Sequence, residues 1–383
     1  MIRVTVGIQK HLYLGLDLPD SEELMFDSVE AADTWLAANS EGSFTIDLGP
    51  KYPWPKHWHG TIVYNGSRYL FFACINRPSL LQPGDSKIVK PFSMSLETKD
   101  ILMNEFLGYR HRLKQQLRHA KALVARRESG QAIQDFDIRG ELYGLACEIA
   151  PSARHDDLVT MRHWLSLRGN ERIVDLAAGT GFFTKDFLSQ TTGEVIAVDP
   201  SEMQLSVLNK VCAGRARLLA ASPDNRQAMS VIPDASVDVV SSFGGLHHVD
   251  DQRTMFEEVA RILKPGGQFT AADVCANTTL ARHFDEFVAA KCLTGHTAQW
   301  LDEAKLRELA SSLPLKLERV EVAPLTWKFS SLTEMALFFK GLHAYDLSEQ
   351  EVIDDLQTAL GFTTENDQII LNWPMVFFRF VRT

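Results

Sequence analysis

The sequence predicts an α/β protein whose C-terminal part is built on a mostly parallel β-sheet. From about residue 150 onward, short β-branched runs alternate with helical patterns, as they do in repeated β-α-β units. The predicted strands are near-continuous apolar runs, which is typical of strands buried on both faces. The first of them, Ile173–Leu176, leads into a loop of small residues and then into a helix. These observations favour an open sheet covered by helices on both faces.

The elements follow in a regular order. Strands are expected at 172–177, 194–199, 216–221, 237–242 and 267–274, with helices at 155–167, 181–190, 201–212 and 251–263. Further helices are expected near 279–293, 302–312, 331–341 and 348–360, and further strands at 316–326 and 369–382. We therefore assign residues 151–383 to one domain, with helical cap insertions at 275–312 and 328–366.

Two zones precede this domain. Residues 1–95 read as a small α+β domain with several β-rich runs and a short helix near 28–39. Residues 96–150 form a helical linker, in which Arg110, Lys114, Arg118 and Lys121 make a basic stripe. A solvated helix face is the favoured interpretation of that stripe, and an RNA or anion contact is the alternative.

Composition limits the functional class. The 383 residues contain 39 Lys and Arg against 49 Asp and Glu, a net charge of −10 that argues against nucleic acid as a partner. No stretch approaches the roughly 18 apolar residues that span a bilayer, so no membrane partner is expected. The five cysteines include no C-x-x-C pair and indicate the reduced thiols of a cytoplasmic protein.

The loop after the first strand carries the strongest chemical signal. Shortly after Asp175, the strand leads into a run of small residues that includes Gly179 and Gly181. A helix begins at the end of this run. Small residues let the backbone approach a ligand closely, and a helix N-terminus offers free N–H groups. A nicotinamide or flavin dinucleotide is an alternative occupant, but its fingerprint has a third glycine where this chain has Thr184.

Three further segments follow in order. Asp199 ends the second strand, where a carboxylate accepts hydrogen bonds from ribose hydroxyls; the alternative is a helix cap. Residues 233–240 (PDASVDVV) enter the fourth strand, which leaves into 243–251 (FGGLHHVDD). Residues 258–267 (EVARILKPGG) end a helix and begin the fifth strand.

In this order and spacing, the segments resemble the class I S-adenosylmethionine-dependent methyltransferases of the ubiquinone/menaquinone-biosynthesis type, also called methyltransferase type 11. The resemblance covers roughly residues 150–275. It implies a doubly wound, Rossmann-like, seven-stranded methyltransferase sheet and S-adenosyl-L-methionine as the cofactor. It also implies a transferase of small-molecule biosynthesis.

The resemblance implies roles for individual residues. Asp175 would lie near the methionine amino end, and Asp199 would hold the ribose. Other parts of the pocket would come from the loop residues Ala177, Gly179, Thr180 and Gly181, from Pro200 and Met203 against the adenine, and from Phe243 and Gly244 below the sulfonium. Ser222 stands where the family often has an acid that contacts adenine, so Ser222, the backbone or Asp224 would replace that contact.

The acceptor needs alignment and, for an acidic acceptor, a base. His247 and His248 follow the fourth strand and are the first candidates, although such histidines also serve merely to hold strand ends. Asp273, at the end of the fifth strand, is a further candidate base or a helix cap. No metal is predicted, because methyl transfer needs none. The pair His57 and His59 has no evident third ligand.

Aromatic residues in the two cap insertions predict an apolar or aromatic small-molecule acceptor, methylated on oxygen, nitrogen or carbon. One alternative is an RNA- or protein-directed methyltransferase that uses residues 1–127 for recognition. Another is a non-methylating enzyme on the same fold. Residues 1–95 are expected to close the acceptor site or to form a homodimer contact.

Overall fold

The computed structural model describes the backbone of residues 2–6, 22–26, 40–46, 57–64, 67–76, 98–366 and 368–383. Side chains are described for Phe106, 108–366 and 368–383. The chain divides into two compact units, Met1–Arg112 and Leu113–Thr383.

The N-terminal unit contains an antiparallel five-stranded sheet of order β2-β1-β5-β4-β3. Its strands are β1 (Ile2–Val6), β2 (Glu22–Phe26), β3 (Ser40–Ile46), β4 (His57–Tyr64) and β5 (Ser67–Asn76). The helix expected near 28–39 lies outside the described residues. His57 and His59 are both on β4.

The C-terminal unit is built on a seven-stranded sheet of order β11-β15-β10-β9-β6-β7-β8. Its strands are β6 (Ile173–Leu176), β7 (Val195–Asp199), β8 (Arg217–Ala220), β9 (Val237–Phe243), β10 (Leu263–Asp273), β11 (Leu315–Ala323) and β15 (Met375–Arg382). The pairs from β8 to β10 are parallel, whereas β15 runs antiparallel to β10 and β11. The predicted α/β class with a seven-stranded Rossmann-like sheet is confirmed.

Helices accompany the strands. They are α1 (Thr98–Glu128), α2 (Asp135–Ile149), α3 (His155–Leu165), α4 (Phe182–Gln190), α5 (Glu202–Val211), α6 (Arg226–Met229) and α7 (Gln252–Ile262). Ser201 and Asp251 cap α5 and α7, because each side chain accepts the N–H of the residue three positions later. Buried residues of the strands and of α7 form a continuous apolar core. Among the described helices, none is long and apolar enough to cross a membrane.

Two insertions follow strands β10 and β11. The first contains α8 (Thr279–His283), a π-helical turn at Phe284–Val288, α9 (Ala289–Lys291) and α10 (Glu303–Ala310). The second, between β11 and β15, holds β12 (Thr326–Phe329), α11 (Leu332–Leu342), α12 (Glu349–Ala359), β13 (Phe362–Glu365) and β14 (Gln368–Asn372). Strands β12, β14 and β13 form a separate antiparallel sheet.

The structure corrects two of the expected strands. The strand expected at 316–326 is β11 followed by the separate β12. The closing strand expected at 369–382 is divided into β14 and β15 at Trp373 and Pro374. Proline has no N–H for the ladder, and the Trp373 N–H donates to the Leu325 carbonyl (2.9 Å) instead of to a strand partner.

Candidate active site

One cavity of the C-terminal unit lies at the carboxyl ends of the parallel strands. Its wall includes the residues that follow each strand, namely Ala177–Gly179 after β6, Asp199 and Pro200 at β7, Ser222 and Pro223 after β8, Phe243–Gly245 at β9, and Val274 after β10. Strand β6 is flanked by β7 on one side and β9 on the other, so the strand order reverses there. Ligands of open α/β sheets bind at such a reversal.

Asp199 connects the small-residue loop to the end of β7. One of its carboxylate oxygens accepts the Gly179 N–H (2.9 Å) and the other accepts the Ser201 N–H (2.9 Å). Burial raises the pKa of Asp199, against the effect of these two bonds. Each oxygen retains a free lone pair, so the carboxylate can accept the hydroxyl groups of a bound sugar.

Gly179 leaves room that any side chain would fill. Its φ is +56°, and a Cβ there would lie 2.9 Å from Gln204 Oε1. Gln204 is buried and lines the cavity, and its Oε1 has no hydrogen-bond partner. A buried acceptor without a partner beside a loop of small residues fits a ligand that brings donors, as a nucleoside does.

Asp175 is the second acid at this end of the cavity. It is 2% exposed and accepts a hydrogen bond from the Thr184 hydroxyl (2.6 Å). Burial, assisted by the negative charge of Asp199, raises the pKa of Asp175 to about 7. A cationic ligand group beside it would favour the ionised form.

Ser222 lies on the cavity wall, whereas Asp224 does not. The Ser222 hydroxyl donates to Asp224, and the other oxygen of Asp224 accepts the Asp251 N–H (2.9 Å). Of the groups considered for the adenine contact, the structure thus brings Ser222 to the cavity and turns Asp224 towards Asp251.

A histidine–aspartate pair lies at the exit of β9. His247 Nδ1 is 2.6 Å from an oxygen of Asp273, whose other oxygen accepts the His247 backbone N–H (3.1 Å). An ionised carboxylate only accepts, so Nδ1 carries the proton of this bond. His247 lines the cavity, and its buried Nε2 has no partner. The free lone pair of Nε2 is therefore available to a ligand.

Three histidines lie together here. Ligand atoms of His247, His248 and His296 lie within 4.8 Å of one another, a spacing that can hold a divalent metal ion. Burial, assisted by His247 and Arg139, lowers the pKa of His248 well below its usual value and that of His296 to about 3. The rings of His248 and His296 are thus neutral, but the nearby guanidinium of Arg139 opposes a second cation.

Two arginines complete the polar part of the wall. Arg154 donates to Asp157 (2.8 Å) and to the Tyr143 hydroxyl (2.7 Å), and its guanidinium lies over the rings of Phe182 (4.7 Å) and Phe243 (5.3 Å). Arg139 is 7% exposed and lies over the Phe136 ring, at 4.8 Å. Sequence reasoning missed Arg139, Arg154 and Gln204.

The cap insertions contribute mainly aromatic side chains to the cavity wall. Phe284, His296, Trp327, His343 and Trp373 line the cavity. Other cap aromatics are core residues with no place on the wall, among them Phe329, Phe338, Phe339 and Tyr345, each at most 1% exposed.

The cavity brings together most of the predicted site residues. Those on its wall are Asp175, Ala177, Gly179, Asp199, Pro200, Ser222, Phe243, Gly244, His247 and His248. Thr180, Gly181, Met203 and Asp273 are not among its lining residues. A Cβ on Gly181 would lie 2.6 Å from Leu208 Cγ, so this glycine lets α4 and α5 pack closely. Met203 is 36% exposed and lies beside Gly140 instead.

Residues 174–271 match the family model described as a methyltransferase domain. The C-terminal unit contains a class I S-adenosylmethionine-dependent methyltransferase domain. The match begins inside β6 and ends inside β10, so it covers the five strands whose ends form the cavity.

Known relatives resemble this methyltransferase domain. The ubiquinone/menaquinone biosynthesis C-methyltransferase UbiE of Ectopseudomonas mendocina is 31% identical over 130 residues, which are 32% of this chain and 49% of that protein. The O-methyltransferase resE of Aspergillus sclerotiorum is 26% identical over 144 residues, 36% of this chain and 54% of the relative. The chain thus spans about half the length of the curated relatives it matches.

Solved structures also resemble the domain. The YcgJ protein of Bacillus subtilis has a TM-score of 0.46 and 18% identity, over 60% of this chain and 98% of that one.

Proposed function

We propose that this protein transfers the methyl group of S-adenosylmethionine to an apolar or aromatic small molecule, and that His247 removes a proton from the acceptor. The observation that carries the proposal is the free Nε2 of His247, buried on the wall of the same cavity as the small-residue loop. The acidic net charge of −10 supports a small molecule over RNA as the acceptor.

Four residues would hold the cofactor. Asp199 would accept the ribose hydroxyls, Gln204 Oε1 would accept a further donor, Gly179 would leave room for the nucleoside, and Asp175 would face the amino group. When bound, the cofactor supplies a methyl group on a sulfonium, which an aligned nucleophile displaces in line.

The proton is handled by His247. Asp273 fixes the ring by accepting the Nδ1 proton, so that Nε2 presents a lone pair to the cavity. When Nε2 gains a proton, the buried carboxylate of Asp273 stabilises the resulting imidazolium. Asp273 is not on the cavity wall, so we assign it a positioning role rather than the role of base.

The names of the two relatives are consistent with a catalytic base. One is a C-methyltransferase and the other an O-methyltransferase. An acceptor carbon or hydroxyl usually loses a proton when it is methylated, which requires a group such as His247.

The test has two stages. Binding of S-adenosylhomocysteine to the purified protein by calorimetry tests the cofactor. Incubation with methyl-labelled S-adenosylmethionine and fractionated small-molecule extracts then tests transfer. His247→Gln should lose labelled product and keep cofactor binding, while His163→Gln, at an exposed position, should keep both. A protein that binds no S-adenosylhomocysteine would refute the proposal.

A further inference from the structure

Arg139 is a buried cation without a partner. It is 7% exposed on α2 and lines the cavity, and its Nε is buried without a hydrogen bond. Within the described part of the chain, no carboxylate forms an ion pair with it, and its contact is the ring of Phe136, 4.8 Å away. Buried arginines are almost always paired, because an uncompensated charge is unfavourable away from water.

Arg154 lines the same cavity, but its guanidinium has hydrogen-bond partners within the protein. Its guanidinium binds the carboxylate of Asp157 and the hydroxyl of Tyr143. Arg154 therefore needs no ligand to balance its charge. Arg139 lacks both kinds of contact, so a ligand is the available source of a counter-charge.

The charge of Arg139 affects the pKa values of the histidines on the cavity wall. After burial, it is among the causes that lower the pKa of His248, His296 and His343. These rings are neutral, so they do not offset the guanidinium. The acidic residues Asp175 and Asp199 lie instead at the small-residue loop.

From this arrangement we infer that Arg139 binds an anionic oxygen group of the methyl acceptor. The acceptor is then an apolar or aromatic molecule that carries one carboxylate or phenolate. One negative charge is expected because one described cation of the wall lacks a partner. The body of the molecule packs against Phe136, Phe284, Leu342 and Trp373, which line the same space. This inference rests on the proposed function.

The amino-acid end of the cofactor also has a carboxylate, so two sources of the anion must be separated. Sodium 2-naphthoate and its neutral isostere 2-naphthamide serve as probes, titrated by calorimetry into protein saturated with S-adenosylhomocysteine. The wild type is compared with Arg139→Met and Arg139→Lys. Arg162→Met is the matched control, because Arg162 is about half exposed, is paired with Asp186 and does not line the cavity.

The wild type should bind the naphthoate at least tenfold more tightly than the amide. Arg139→Met should lose about 10- to 100-fold in naphthoate affinity, the range of a charge-assisted hydrogen bond, and should bind the amide as before. Arg139→Lys should retain part of the preference. Arg162→Met should behave as the wild type does.

Three results would overturn the inference. The first is equal affinity of the wild type for acid and amide, or no saturable naphthoate binding. The second is a loss of S-adenosylhomocysteine affinity in Arg139→Met with the acid–amide preference intact, which would assign Arg139 to the cofactor. The third is a lowered melting temperature of Arg139→Met in the protein without ligands. The inference expects a raised melting temperature, because the substitution removes an unpaired buried charge. A lowered melting temperature would make Arg139 a structural residue.

Failure of the proposed function would look different. A wild type that binds no S-adenosylhomocysteine would refute the cofactor assignment. The acid–amide comparison and the melting temperature would still test the anion site in the same protein.

Discussion

Replacing Asp273 with Asn tests the proposed base directly. Asn has the size of Asp but no charge, and one of its two positions is an NH2 donor. Asp273 accepts three N–H groups, from Nδ1 of His247 (2.6 Å) and from the backbone of His247 (3.1 Å) and Val274 (2.7 Å). In either orientation, the NH2 group of the Asn side chain therefore lies against at least one of these N–H donors and cannot accept its hydrogen bond. It also no longer stabilises an imidazolium.

The expected loss follows from the hydrogen bond that strengthens during proton transfer. A hydrogen bond to a charged group contributes about 1.5–3 kcal/mol. Because about 1.4 kcal/mol corresponds to a factor of ten in rate, kcat should fall about 10- to 150-fold. The dissociation constant of S-adenosylhomocysteine should stay within about twofold, because Asp273 does not line the cavity.

The assay is steady-state methyl transfer to an acceptor found by extract screening, with calorimetry of the cofactor product. The double variant His247→Gln/Asp273→Asn should be no slower than His247→Gln alone, because the carboxylate acts through the ring. Additive losses in the double variant would refute this reasoning. So would parallel losses of kcat and cofactor affinity in Asp273→Asn.

Further outcomes are expected for the cofactor site and for metal removal. Since the pKa of Asp175 is about 7 and its anion would face the cofactor amino group, S-adenosylhomocysteine affinity should rise about tenfold from pH 6 to its plateau above pH 7. Asp175→Asn should flatten that profile, and in the ligand-free protein the same raised pKa should lower stability as pH rises from about 4 to 7. Gly179→Val should abolish cofactor binding, while Gly214→Ala, also at positive φ but with its nearest neighbouring atom 3.9 Å from the Cβ position, should cost only stability. Asp199→Ala should weaken cofactor binding at least tenfold, and EDTA should leave methyl transfer unchanged.

The part of the site that the sequence predicted is the part built from local signals. Asp175, Gly179 and Asp199 stand at the ends of strands with a strong apolar pattern, so their place at the sheet edge follows from the strand order. Glycine is needed at 179 because φ is positive and Gln204 is close. The strand ends and the loop of small residues are written within a few residues of one another in the chain, whereas the contact of Gly179 with Gln204 is not.

The acceptor side depends on tertiary placement instead. Arg139 lies in a segment that was predicted only as a linker helix. One signal was present, since Phe136, Arg139 and Tyr143 recur at steps of three and four and all line the cavity. That spacing defines one helical face, and a lone cation between two aromatic residues on it was informative.

Boundaries were less predictable than elements. Pro265-Gly266-Gly267 was expected to precede the fifth strand, but β10 begins at Leu263, before it. The pairing register with β9 shifts between Leu263 and Gln268, so the Pro-Gly-Gly turn is held as an irregularity inside the strand. A local turn signal thus does not show whether the pairing of a strand with its neighbour begins before or after the turn.

The two ends of the cavity differ in charge in a way that suits the proposed reaction. The acids Asp175 and Asp199 lie at the small-residue loop. At the other end of the cavity, the charge of Arg139 is among the causes that lower the pKa of His248. A sulfonium donor and an anionic acceptor would each be held by the opposite charge. Transfer of the methyl group removes the sulfonium charge, and because His247 takes the proton of the atom that is methylated, the carboxylate or phenolate on Arg139 stays ionised. The anion on Arg139 thus holds the acceptor in place without being consumed, while the reacting proton goes to His247.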